Sequence, residues 1–290
     1  MIPIYTDPLD VFMRSPFQSF LWQSGLFACD SNDLEHFSAL LSEETQRLGM
    51  KQTLLGEAGR FPLPMFKSPA PNADLPSILV CAGFHGDAAA GPWGILYWLA
   101  SQSEDIFTQV NLSILPLVSA SGFRKGQKYN RQGQDALMGY LWEQGKAKTN
   151  DDTSEEGEIL LRHGQLLQAA GRDGVLTLGE DVHSEQAYLC SFEPRQAPGA
   201  FTGQLLESLG EHFPLKAQAT SQACDVGQGN LFNCFDSSFT AFLVKAGARC
   251  GAAIYTPAGG DFDDRVKATA HILDGFVGRY LQLPEAADVY

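Results

Sequence analysis

The run Ser77–Ala82 (SILVCA) constrains the fold more than any other segment of this chain. It is short, rich in branched apolar side chains, and leads straight into the glycine-rich residues 83–91. An unbroken apolar run with no polar alternation fits a strand buried on both faces. Such a strand needs helices above and below its sheet. The next segment supplies one, with Trp93, Leu96, Tyr97 and Ala100 at helical spacing.

The rest of the chain repeats this alternation. Residues 110–118 (VNLSILPLV) read as a second strand, with Pro116 suited to a strand end rather than its centre. Residues 175–182 and 251–255 (GAAIY) are the third and fourth strand candidates. Leu34, Phe37, Leu41 and Leu48 recur at helical spacing, and Asn32 with Glu35 predicts a capping box. The last helix has Asp261 as its cap, then Val266, Ala270, Leu273, Val277 and Tyr280 at steps of three and four. Strands alternating with helices predict an α/β fold with a parallel or mixed sheet covered on both faces. No internal repeat is visible. One domain over residues 1–290 is expected, with an acidic surface loop or insertion at about residues 145–158.

Composition excludes more than it assigns. A formal charge of -14 disfavours nucleic acid and anionic membrane as partners, since both select basic surfaces. The first residues carry no basic and apolar leader pattern, and no apolar run approaches the roughly 18 residues of a membrane span. A cytoplasmic protein is therefore expected. Cys29, Cys81, Cys190, Cys224, Cys234 and Cys250 show no C-x-x-C spacing and are expected as reduced, mostly buried thiols.

In folds of this class ligands bind outside the carboxyl ends of strands. Two histidines fall just past predicted strands: His85 in Gly83-Phe-His-Gly-Asp and His183 in Asp181-Val-His-Ser. The turn Tyr255-Thr-Pro follows the fourth strand. A histidine at a strand end is also a common hydrogen-bonded structural residue, and Asp87 beside it suits a loop-capping acceptor. His36, His163, His212 and His271 have no motif context and are expected on the surface or on helices.

Taken together these segments resemble the zinc carboxypeptidase family. Residues 83–88 resemble its first metal loop, G-x-H-G-x-E, and residues 181–184 its D-x-H-S. Residues 122–135 resemble the stretch that ends in the family as N-x-x-G-x-D-x-N-R. Ala253-Ile-Tyr-Thr-Pro, with Arg265 downstream, resembles the E-T-P turn, and Gly56-Glu-Ala-Gly-Arg-Phe-Pro resembles the S-x-x-G-R-P-I segment. The resemblance runs in order from about residue 56 to residue 283. It implies an eight-stranded mixed sheet sandwiched between helices.

The resemblance also implies a zinc site, which this chain carries in altered form. His85 and His183 stand at the first and third ligand positions, but Ala88 replaces the ligand glutamate. Asp87 is the nearest substitute carboxylate. Lys128 stands where an arginine polarises the substrate carbonyl, and keeps the charge without the planar fork. Leu137 and Met138 fall on the pair that clamps a terminal carboxylate; a second alignment puts that clamp at Asn130 and Arg131. Tyr255 falls on the general-base glutamate, and with a reference pKa of about 10 is a poor base at neutral pH.

A catalytic zinc needs three protein ligands and an open position for water, so zinc is expected with reduced affinity. Ordinary carboxypeptidase chemistry is not expected. The reading that follows is a pseudoenzyme that binds a peptide-like ligand or a protein partner through the old cleft. The alternative is an active metallo-hydrolase with a site rebuilt from His85, His183 and Asp87. A third is a structural or assembly protein that uses its helical surface.

Overall fold

The computed structural model of the protein describes residues 31–220 and 225–281. In chain order its strands are β1 (Lys51–Ala58), β2 (Phe61–Lys67), β3 (Ser77–Ala82), β4 (Asn111–Leu115), β5 (Leu141–Glu143), β6 (Lys146–Lys148), β7 (Gly174–Asp181), β8 (Tyr188–Phe192), β9 (Gln218–Thr220), β10 (Asp225–Gly227), β11 (Asn230–Phe232) and β12 (Gly251–Pro257). The helices are α1 (Leu34–Arg47), α2 (Ala90–Ser101), α3 (Ala120–Phe123), α4 (Glu155–Arg162), α5 (Gly164–Ala170), α6 (Ala200–Gly210), α7 (Phe239–Lys245) and α8 (Phe262–Leu281).

One mixed sheet runs β1-β2-β4-β3-β7-β12-β8-β11-β10-β9. Its first eight strands are the predicted eight-stranded mixed sheet, and the short β10 and β9 extend it to ten. β3 lies parallel to β4 and β7, and β7 parallel to β12, so three central strands end together at residues 82, 181 and 257. All four predicted strands are present, and Pro116 lies just past the end of β4.

Side-chain alternation explains the unbroken apolar run of β3. Ile78, Val80 and Ala82 pack on one face with Phe37 of α1, Trp93 of α2, Leu205 of α6 and Leu273 of α8. Leu79 and Cys81 pack on the other with Ile159 and Leu160 of α4 and Phe239 and Phe242 of α7. Both faces are dry, so neither selects polar residues.

Four features depart from expectation. The cap of α1 is Asp33, whose carboxylate accepts from His36 N, rather than Asn32. Asn32 instead donates from Nδ2 to the carbonyls of Gly86 (2.9 Å) and Phe123 (2.7 Å). The acidic segment is only partly a loop: a β5–β6 hairpin turns at Gln144 and Gly145, both at positive φ, and α4 begins at Glu155. Ser154 caps α4 and Glu155, Glu156 and Glu158 fill its first turn, where acidic side chains meet the positive end of the helix.

The β1–β2 hairpin was hidden by Pro62 and Pro64, which argue against a strand. Only Phe66 and Lys67 of β2 pair with β4, so both prolines sit where β2 has a single partner and needs no second donor. Finally, Cys234 is disulfide-bonded, whereas Cys81, Cys190 and Cys250 are free thiols. Spacing alone does not reveal such a pairing. No helix among the described residues is long and apolar enough to cross a membrane.

Candidate site at the carboxyl ends of the central strands

The loop after β3 is held tightly against residues 117–128. Gly83 has φ +67°, and a Cβ there would meet Leu117 Cδ1 at 2.5 Å. A Cβ on Gly86 would fall 1.9 Å from the Gly122 carbonyl carbon and 2.2 Å from Phe123 N, so backbone packs on backbone. This close approach fixes His85 between them. Its ring is mostly buried, and Nε2 lies 2.9 Å from Asp135 Oδ1. The same oxygen accepts from Leu137 N at 2.9 Å.

Burial alone would raise the Asp135 carboxyl. The hydrogen bond and charge of His85, the Leu137 N–H and Lys128 overcome that and hold it below the usual carboxylate range. A carboxylate on one ring nitrogen orients an imidazole and makes the other a better ligand, as around metal-bound histidines. His85 therefore has the support a ligand would need, with Nδ1 as its ligating atom. Asp135 ends the motif at residues 122–135, and nothing local to it in sequence points to His85.

The other predicted residues are less cooperative. His183 is exposed at the end of β7, and its backbone N–H donates to Asp181 Oδ1 at 2.8 Å. Asp181 Oδ2 accepts from the Tyr188 hydroxyl at 3.0 Å. Tyr188 stacks on Tyr255, with ring centroids 5.0 Å apart and planes at 21°. Burial pushes the Tyr255 hydroxyl well above the usual phenol range, and nearby Cys190, Tyr188, Asp236 and Asp135 add to it. A hydroxyl so held stays protonated at neutral pH even more fully than that of an exposed tyrosine, so no phenolate is on hand to act as a base.

Lys128 is exposed, its ammonium 5.4 Å from the Tyr129 ring centroid. Asn130 is buried and donates to Glu156 Oε2 at 2.7 Å, while its Oδ1 accepts from Gln132 N and Gln134 N. It closes its own loop and does not face a ligand. Arg131 lies over the β1–β2 turn, where a Cβ on Gly59 would sit 2.3 Å from the guanidinium carbon, and it faces Glu155 at 3.6 Å. Of the alternative clamp, Asn130 is thus engaged by Glu156 and its own loop, and Arg131 remains largely exposed beside Glu155. Leu137 is buried and Met138 packs against the same apolar cluster, as does Tyr255.

Ala88 is 2% exposed, so the position of the family's ligand glutamate is filled by a small core side chain. Asp87 lies close enough to Glu180 for its charge to raise that carboxyl. Among the described residues, His85, His183 and Asp87 do not bring three ligand atoms within 4.8 Å of one another. The residues present fit one supported histidine of a zinc site and not a three-liganded catalytic zinc.

At the end of β7, Glu180 and Arg265 form a buried ion pair between that strand and the first turn of α8. Glu180 Oε2 also accepts from Ala90 N at 2.9 Å, at the N-terminus of α2. Burial raises the Glu180 carboxyl, and Arg265 and the Ala90 N–H only partly offset it. This pair ties the end of β7, and with it the loop that carries His183, to both helices. A separate hollow of about 470 Å³, lined by Glu193, Arg195, Phe235 and Arg249 among others, contains none of the predicted site residues.

A mixed sheet between helices, with histidines just past its central strands, is the architecture of the zinc carboxypeptidases. Solved structures bear this out. The putative metallopeptidase of Shewanella baltica OS155 is 48% identical, with a TM-score of 0.86 over 92% of this chain and 99% of that one. The putative metallopeptidase of Shewanella amazonensis SB2B is 46% identical, with a TM-score of 0.85 over 88% and 96%. The murein-tripeptide amidase MpaA of Escherichia coli O157 shares the fold at 14% identity, with a TM-score of 0.54 over 81% and 93%. No protein-family model and no curated protein matches the chain. The chain belongs in one group with these putative metallopeptidases of Shewanella, and its fold is that of the carboxypeptidase-like structures.

Proposed function

We propose that this protein is a catalytically impaired member of its family that binds a peptide-like ligand or a protein partner in the cleft beside His85, Tyr255 and His183. The observation that carries this reading is the lack, among the described residues, of a carboxylate that joins both histidines as a third ligand. Two neutral imidazoles bring no negative charge to a cation, so zinc held by them alone is held weakly. Tyr255 in place of the general base, with its hydroxyl well above the usual phenol range, does not take a proton from water at neutral pH. Leu137 is buried where a clamp would meet a terminal carboxylate. A carboxylate placed there would lose water and gain no partner.

A second reading has one observation in its favour. The Asp135–His85 hydrogen bond is the support that a metal-ligating histidine receives. A hydrolase rebuilt on His85, His183 and Asp87 would use that support once its loops closed. One experiment separates the two. Purified wild-type and His85→Ala protein are compared for bound zinc and for hydrolysis of blocked and unblocked peptides. The binding reading expects no zinc retention that depends on His85 and no chelator-sensitive hydrolysis. Stoichiometric zinc lost in His85→Ala, together with loss of a peptidase activity, would establish the rebuilt enzyme instead.

A further inference from the structure

A cluster of ligand-type side chains lies on the helical layer, built from elements that supply neither His85 nor Asp135, Tyr255 or His183. Glu211 caps the end of α6, His212 follows it, and His271 lies on α8. Their ligand atoms all lie within 4.8 Å of one another, and all three residues are exposed. One ring nitrogen donates to the other between His212 Nε2 and His271 Nδ1, at 2.7 Å. His271 Nδ1 is 3.5 Å from Glu211 Oε2.

The packing of the two helices explains why these residues meet. Ser208 of α6 abuts Gly275 of α8 so closely that a Cβ on Gly275 would sit 2.4 Å from Ser208 Oγ. Gln204 Nε2 donates to the Gly275 carbonyl at 2.9 Å, and the Phe201 and Phe276 rings meet edge to face at 6.3 Å. Four residues on from Ser208 is His212, and four back from Gly275 is His271. The antiparallel register that fixes the first pair therefore delivers the second. His271 comes from α8, and Glu211 and His212 from the turn that ends α6.

We infer that Glu211, His212 and His271 form a surface site for a divalent transition-metal ion such as zinc. Tetrahedral zinc with ligands at 2.0–2.2 Å separates them by about 3.3 Å. The Glu211–His271 spacing of 3.5 Å already matches, and the two rings need to part by only about half an ångström, which exposed side chains do by rotation. Two imidazoles and one carboxylate suit zinc, copper or nickel and disfavour magnesium and calcium. A fourth position stays open to water. The bound ion clips the end of α6 to the middle of α8.

The test is a zinc titration of the metal-stripped full chain against a chromophoric chelator. It uses wild-type protein, His271→Ala, His212→Ala, Glu211→Gln and His85→Ala. One zinc per chain is expected, weakened at least tenfold in each histidine variant of the cluster, less in Glu211→Gln, and unchanged in His85→Ala. Zinc should also raise the melting temperature of wild type and not of His271→Ala. The three altered side chains of the cluster are exposed, and unchanged urea midpoints without metal verify folding. Identical isotherms for wild type and His271→Ala overturn the inference, as does binding lost only in His85→Ala or binding that appears equally in all variants at millimolar zinc.

Discussion

Replacing Arg265 by Met tests whether the Glu180–Arg265 pair is as dry as the structure makes it. Glu180's side chain is 1% exposed and Arg265's 16%, so the variant leaves a carboxylate with only the Ala90 N–H for company. Breaking a buried pair in this way costs about 3–5 kcal/mol. The carboxylate has one escape, which is to bind a proton. From an unfolded reference near 4.3, each pH unit of forced protonation costs about 1.4 kcal/mol. The penalty is therefore capped at about 4 kcal/mol at pH 7 and about 1 kcal/mol at pH 5. The sign follows from the shift: a carboxyl raised in the folded state costs stability as pH rises from the unfolded pKa to the folded one, and nothing below both. Unfolding entropy of about 2.1 cal/mol/K per residue over 290 residues converts these into melting losses of about 6–7 °C at pH 7 and about 2 °C at pH 5. Scanning calorimetry across pH 5–7.5 reads both. A Glu180→Gln/Arg265→Met double variant should recover most of the loss, since the amide oxygen introduced at position 180 would still accept from Ala90 N. A deficit that is flat with pH, or below about 1 kcal/mol at pH 7, would refute the reasoning.

Further outcomes follow from the same geometry. Asp135→Asn should cost about 1 kcal/mol at pH 7 in urea unfolding, because a partly exposed charge-assisted bond is lost. The wild-type carboxyl is depressed, so its contribution is present above the unfolded pKa and vanishes as pH falls through the folded one; the variant should converge with wild type in acid. Gly86→Ala should fail to give soluble protein, or lose about 3 kcal/mol or more, because its Cβ meets backbone 1.9 Å away that no rotamer can relieve. Thiol titration of unfolded, unreduced protein should find four reactive cysteines of six if Cys234 sits in the chain's one disulfide, and six thiols would remove that bond.

How far the sequence showed this protein depends on whether a residue's role is local. Ser77–Ala82 announced a doubly buried strand because both its faces are dry, and α8 announced itself because one of its faces is not. The β1–β2 hairpin stayed hidden, since only the sheet reveals that Pro62 and Pro64 lack a second neighbour. The site divides in the same way. His85 was legible from its place after β3, but what it does is set by Asp135, fifty residues away and brought in by the packing of Gly86 on Gly122. Asn130 looked like a ligand-binding type, and its amide is taken up by Glu156 and its own loop, because hydrogen-bonding capacity does not say which partner arrives first. His212 and His271 looked inert for the opposite reason: no motif joins them, and only the meeting of Ser208 with Gly275 does. The cleft thus keeps the supported half of a metal site while the cluster on the helices assembles a fuller ligand set. If that cluster holds a metal as inferred, metal content alone would not measure peptidase chemistry in this chain.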